Sequence, residues 1–155
     1  MSTHNSEYDD IDRMIARNLM KNADITSQQL GLAVGLSASA ANERLRHLKH
    51  SGAIKKVVAM VDSGLMDMSL AALIFVNLEG KQNHKKFLNA VIEHDAILEC
   101  HHVTGEYSYL LKIRCKNTKM LESLITDFLK KDCGVSSTFT QIILSSPKEE
   151  SLVVD

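Results

Sequence analysis

The sequence predicts an α+β chain of two parts, and three observations predict it. Apolar residues in the first third recur at helical spacing between cap residues. The remaining two thirds alternate β-rich runs with amphipathic ones. Charge is also uneven: residues 42–56 hold Arg44, Arg46, Lys49, Lys55 and Lys56 against Glu43 alone, with His47 and His50 beside them, on a chain of net charge −1. A basic patch on a neutral body suits an anionic partner, the plain alternative being a solvated helix face.

The first helix is expected over 9–22, where Ile11, Met14, Ile15 and Leu19 form one stripe and Asp9, Asp10 and Asp12 complement the positive helix end. Thr26, Ser27, Gln28 and Gln29 fit a capping box that opens a second helix. Leu30, Ala33 and Val34 give that helix an inner face, and Gly35 lets the chain leave it left-handed. Ser37 is the natural cap of a third helix that runs to about Ser51 and closes at Gly52. Its Ala41, Leu45 and Leu48 turn inward, while Ser39, Asn42, Glu43, Arg46, Lys49 and His50 turn outward, flanked by Arg44 and His47. Two helices joined at Gly35 and Leu36 describe a helix-turn-helix, whose second helix enters the major groove of duplex DNA. Ser39 and Asn42 suit base edges, Arg44, Arg46 and Lys49 suit guanine or phosphate, and the N-terminus at Thr26, Ser27 and Gln28 suits a phosphate. A three-helix bundle packed on something else is the alternative.

Residues 53–62 (AIKKVVAMVD) are expected as a linking strand ahead of a turn at Ser63 and Gly64, which puts the domains at 1–62 and 63–155. Beyond it, 70–78 reads as a buried strand. Asn83 caps a helix with Phe87, Leu88, Val91 and Ile92 on one stripe, and strands over 97–103 and 107–115 meet at a tight turn of Thr104, Gly105 and Glu106. Thr118 caps another helix (Met120, Leu121, Leu124, Ile125, Phe128, Leu129), Gly134 closes it, and 135–144 is the last strand before Pro147. The order βαββαβ is the ferredoxin-like arrangement. Two helices on one face leave the other face of the sheet open and apolar, so a homodimer through the sheets is expected.

With 45% apolar and 24% charged residues, the 155-residue chain is globular rather than disordered. Three Cys without CxxC spacing read as reduced thiols of a cytoplasmic protein. The polar start MSTHNSEYDD shows no secretory h-region, and the apolar run 70–76 is too short to span a bilayer. Glu99, Cys100, His101 and His102 are adjacent on a strand, so Cys100 and His102 share a face without His101, too few ligands for structural zinc. No catalytic constellation, metal site or cofactor is expected.

A helix-turn-helix followed by a βαββαβ domain resembles the leucine-responsive regulatory protein/AsnC family of feast-famine transcription regulators, over nearly the whole chain. The resemblance is carried by DIDR at 10–13, VGLSASA at 34–40, RLRHL at 44–48, LEC at 98–100, VTGEYSYLLK at 103–112, GV at 134–135 and STFTQIIL at 137–144. It implies a transcription regulator that binds double-stranded DNA and forms dimers, often assembled to octamers. It also implies a small effector, usually an amino acid, bound in the second domain. Thr104, Gly105, Glu106 and Tyr107 look like the family's effector loop, whose glycine permits close backbone approach to a carboxylate. Ser108, Thr138 and Thr140 would supply hydroxyls to the ligand's polar ends. Many relatives carry Asp where this chain has Ser108, so the effector's amine lacks that partner here. The reading helix also departs from relatives at Ala40, Ala41, Asn42 and Glu43, so the operator does not carry over. Two alternatives share this architecture: a sirohaem-decarboxylase-like enzyme drawing on His94, His101 and His102, and a DNA-organising protein without an effector.

Overall fold

The computed structural model describes residues 8–80 and 83–149, so the stretches 1–7 and 150–155 of the expected domains lie outside the described residues. Two compact units emerge, the first ending at Met60 and the second spanning Val61–Pro147.

Local capping chemistry sets the helices of the first unit. Helix α1 is Asp10–Lys21. The Asp12 N–H donates to Asp9 Oδ1 at 2.8 Å and the Asp9 N–H donates back to Asp12 Oδ2 at 3.2 Å, a reciprocal cap. Helix α2 is Ser27–Val34, opened by the same device between Thr26 and Gln29. Gly35 follows at φ 71°, the left-handed residue that ends α2. Helix α3 is Ala38–His50, capped by Ser37, whose Oγ accepts the Ala40 N–H at 3.2 Å. Ile15, Leu30, Val34, Ala41 and Leu48 fill the core between them. Two positions differ from expectation, and the first is Met14, which lies on the expected stripe of α1 yet is exposed. Ala33 is exposed and Gly31 is buried in its place, because the turn crosses directly over α2 and the Leu36 N–H donates to the Gly31 carbonyl at 2.8 Å.

Residues 53–62 do not form the expected linking strand. Their β-branched composition marks a preference for a pleated surface, and a strand exists only where a neighbouring edge accepts its ladder bonds. Among the described residues no edge pairs with this segment, and Val57, Val58, Met60 and Val61 stay exposed.

The second unit holds β1 (Leu70–Leu78), α4 (Asn83–Ile92), β2 (Ile97–His102), β3 (Tyr109–Cys115), α5 (Thr118–Ser123) and β4 (Val135–Ile143). The sheet order is β2-β3-β1-β4, antiparallel throughout, which is the ferredoxin-like topology. Ala72, Ile74 and Val76 of β1 and Leu111 and Ile113 of β3 face Phe87, Val91, Leu121, Leu124 and Leu129 of the helices. Both helices therefore cover one face of the sheet. Several details depart from the sequence pattern. Asn117 rather than Thr118 caps α5, its Oδ1 accepting the Met120 N–H at 3.0 Å. Past Ser123 the helix widens to a π-helix over Leu124–Asp132, and the five-residue step from Leu124 to Leu129 keeps both against the sheet. Ile92, expected on the buried stripe, is 73% exposed at the end of α4. Strand β3 starts at Tyr109 rather than 107, and β2 ends at His102.

Candidate nucleic-acid interface and effector loop

Burying Ala41 and Leu48 of α3 turns a row of polar side chains outward on the opposite side. Ser39, Asn42, Arg46 and Lys49 stand on that row at helical spacing and are exposed, with His47 exposed beside them. Ser27 and Gln28 are exposed in the first turn of α2, where backbone N–H groups point out of the helix end. The expected hydroxyls of Thr26 and Ser37 are occupied as caps: Thr26 Oγ1 accepts the Gln29 N–H and Ser37 Oγ accepts the Ala40 N–H. They shape the helix ends that a phosphate would meet.

Arg44 behaves differently from its neighbours. Its Nη1 donates to Asp9 Oδ2 at 2.6 Å and to Asp12 Oδ1 at 2.9 Å, tying the middle of α3 to the first turn of α1. The Asp12 backbone N–H, then the Arg44 guanidinium, hold the Asp9 carboxyl below its usual range. The same carboxylates, Asp9 first, raise the Arg44 guanidinium above its own.

In the second unit, β2 and β3 join through a loop wider than the expected tight turn. The Val103 N–H donates to the Ser108 carbonyl at 3.0 Å, enclosing Thr104, Gly105, Glu106 and Tyr107. Gly105 sits at φ 119°, a conformation that L side chains rarely adopt, and open space surrounds the site where its Cβ would be. Asn77, near the end of β1, holds this loop. Its Oδ1 accepts the Ser108 N–H at 2.9 Å and the Ser108 hydroxyl at 3.0 Å, and its Nδ2 donates to the Glu106 carbonyl at 3.0 Å. Sequence reasoning passed over Asn77. Its signal was a polar residue inside the otherwise apolar run LAALIFVNL, at a position whose strand alternation faces away from the helices.

Tyr107 leaves the loop to pack against Phe75 and Phe139, ring centroids 5.9 and 6.3 Å away. Phe75 and Phe139 are cross-strand partners with centroids 6.0 Å apart, so three rings cluster on the sheet face opposite the helices. Thr138 and Thr140 are not brought to that side. They pair with Val76 and Ile74, both fully buried, so strand alternation turns their hydroxyls to the helix-covered face. On β2, Glu99 accepts from Lys112 Nζ at 3.2 Å and lies 3.0 Å from His101 Nε2. The His101 contact, then that of Lys112, hold the Glu99 carboxyl below its usual range. His102 stacks on Tyr109 at 4.9 Å instead. Among the described residues no three His, Cys, Asp or Glu side chains are grouped to hold a metal ion.

Comparison with known proteins fits both regions. Residues 9–49 match the family model for the AsnC-type helix-turn-helix domain, and residues 71–153 match that for the Lrp/AsnC ligand binding domain. The chain is 31% identical over 142 residues to the transcriptional regulator AzlB of Bacillus subtilis, covering 90% of each. It is 31% identical over 150 residues to the leucine-responsive regulatory protein of Escherichia coli K12, covering 96% of this chain and 92% of that one. Among solved structures, the transcriptional regulator NMB0573 of Neisseria meningitidis in complex with L-Met superposes at TM-score 0.85 with 25% identity, over 96% of both chains.

Proposed function

This chain belongs to the Lrp/AsnC family of transcriptional regulators, and from that premise we propose which of its residues meet DNA and which meet the effector. Duplex DNA is contacted by the outer row of α3. Ser39 and Asn42 address base edges, Arg46 and Lys49 address guanine or phosphate, and His47 flanks them. The first turn of α2, at Ser27 and Gln28, receives a phosphate. The observation that carries this assignment is the exposure of that row on a helix whose other side, Ala41 and Leu48, is buried. Replacing Arg46 by Ala tests it. Affinity for duplex DNA should fall, and the slope of log affinity against log salt should flatten by about 1, the signature of one lost phosphate contact. Unchanged affinity and slope would reject the assignment.

The effector is a small molecule, an amino acid by analogy with the L-Met complex of the Neisseria meningitidis regulator. Its carboxylate meets the backbone of the loop that contains Thr104, Gly105, Glu106 and Tyr107, and Asn77 with Ser108 fixes the loop's shape. Ser108 is uncharged, so it offers an effector's ammonium no ion pair, and Glu106 is the loop's carboxylate. Thermal-shift titration of the twenty amino acids against wild type and Gly105→Asp checks the site: an amino acid that stabilises the wild type should lose its effect in the variant. An equal shift in both would move the effector elsewhere.

Two copies associate through the sheet faces opposite the helices, and dimers assemble further in the manner of the family. The chain works in the cytoplasm as a regulator without a catalytic step. No described helix is long and apolar enough to cross a membrane. A Soret band in the purified protein would instead favour the tetrapyrrole-processing alternative.

A further inference from the structure

We propose that Arg44 is a positioning residue, which sets the rotation of α3 through Asp9 and Asp12 and makes no DNA contact of its own. The inference rests on the regulator assignment above. Asp12 is the one buried charged side chain among the described residues, 8% exposed. A carboxylate removed from water needs a charged or hydrogen-bonded partner, and breaking such a pair costs far more than the pair contributes. Asp12 has two uses for its oxygens: Oδ2 accepts the Asp9 N–H and Oδ1 accepts Arg44 Nη1. Asp9 likewise accepts the Asp12 N–H on one oxygen and Arg44 on the other. The cap of α1 and the guanidinium of α3 are thus one connected cluster. Both bonds come from Arg44 Nη1, so a phosphate that drew this nitrogen away would displace two carboxylates and leave Asp12 buried without its cation.

The placement of the cluster explains its effect on recognition. Arg44 is two residues from Asn42 and two from Arg46, both of which stand on the exposed row. Side-chain tips on a helix lie about 5–6 Å from its axis, so a roll of about 20° displaces them by about 2 Å. That is more than a base-specific hydrogen bond tolerates. Packing of Ala41 and Leu48 restrains the inner side of α3. The bonds from Arg44 Nη1 to Asp9 and Asp12 add a directional restraint on its flank.

Electrostatics makes the test decisive, because the two roles predict opposite signs. Asp12→Asn removes a negative charge beside a basic face, which by itself strengthens attraction to any duplex. Were Arg44 a DNA contact, the same change would also release it toward phosphate. The probes are a duplex enriched from a random-sequence pool by the wild-type protein and a scrambled duplex of equal length and composition, each titrated over a range of salt. With Arg44 as a positioning residue, Asp12→Asn and Arg44→Gln each weaken binding to the enriched duplex by about tenfold or more, the worth of one good base contact. Asp12→Asn does not weaken binding to the scrambled duplex, whereas Arg44→Gln weakens it less than it weakens binding to the enriched one, through the loss of one long-range positive charge, and leaves its salt slope as in wild type. The double variant is no worse than the singles, as expected for one coupled unit. Asp9→Asn, which leaves Asp12 paired, gives a smaller loss in the same direction and serves where Asp12→Asn does not fold. The proposal is overturned if Asp12→Asn tightens binding to the enriched duplex. A drop of about 1 in the salt slope of Arg44→Gln on the scrambled duplex overturns it too, since that makes Arg44 a phosphate contact. Failure of the underlying assignment looks different: wild type then enriches no sequence and shows a flat salt response.

Discussion

Gly31 shows how one residue settles the geometry of the helix-turn-helix. A Cβ added there would stand 2.7 Å from the Leu36 carbonyl oxygen and 3.1 Å from the Ala38 nitrogen. Both are backbone atoms of the turn and of the start of α3, so neither can swing aside as a side-chain end would. Alanine favours a helix over glycine by about 1 kcal/mol, yet overpacking of this kind costs about 1–3 kcal/mol. The clash should win. Gly31→Ala is therefore expected to destabilise the helical unit by about 1–2 kcal/mol in chemical denaturation followed by circular dichroism. A stability equal to or above wild type would mean that the turn moves freely away from α2. The contrast between Gly31 and Gly35 shows what the sequence makes legible at this scale. Gly35 ends a helix through its own φ of 71°, a local requirement visible in the chain around it. The need for Gly31 comes from a turn that folds back over it. The partners of Arg44 lie 35 and 32 residues earlier in the chain, so its place on the flank of α3 gave no hint of them.

Elements were legible where their signals are local and blurred where they are not. The capping box at Thr26 and the continuous apolar run of β1 involve neighbours within a few residues, and the expected β1, Leu70–Leu78, is the observed one. The segment 53–62 failed as a strand because pairing is a property of two segments, and its composition describes only one. The π-helix over Leu124–Asp132 was invisible because apolar residues at 124, 125, 128 and 129 satisfy the α-helical period as well. At the proposed effector loop, the glycine and the aromatic were legible, whereas Asn77 acts from a strand 29 and 31 residues away. The start of α1 carries a prediction with a definite sign. The Asp12 N–H and then Arg44 lower the Asp9 carboxyl below its unfolded value. A depressed carboxylate contributes stability that is present above the ordinary aspartate range and is lost as pH falls through the lowered value. Asp9→Asn should thus lower the stability of the helical unit at neutral pH and flatten its decline below about pH 4. Parallel acid-titration curves for wild type and variant would remove this carboxylate from the linkage.

At the scale of the molecule, the helix-free face of the sheet is the surface proposed above for a second copy. Strand alternation puts Leu73, Phe75, Leu110 and Phe139 there, with Tyr107 folded over one end and Phe139 still 47% exposed in the single chain. Glu99, Lys112 and Arg114 stand at the other positions of that face. A cation placed at 139 would replace one ring of the cluster and stand beside the other two, Phe75 and Tyr107, on a face that already carries Lys112 and Arg114. Desolvating it against a second copy costs several kcal/mol with no new carboxylate to compensate. Phe139→Lys should therefore convert the dimer to a monomer in light scattering, while β4 keeps its ladder to β1, because the replaced side chain points away from the core. The DNA consequence separates a dimeric regulator from a single reading head. Two heads joined in one body bind half-sites about one helical turn apart, and the second engagement is intramolecular, which raises affinity by about 10²–10⁴ over one head. The monomeric variant should lose that factor on a two-half-site duplex and lose little on a single half-site, and its salt slope on the two-half-site duplex should drop to about half. A Phe139→Lys protein that remains a dimer would place the interface on another face. One that becomes a monomer yet binds both duplexes as wild type does would show that reading DNA does not depend on pairing the heads.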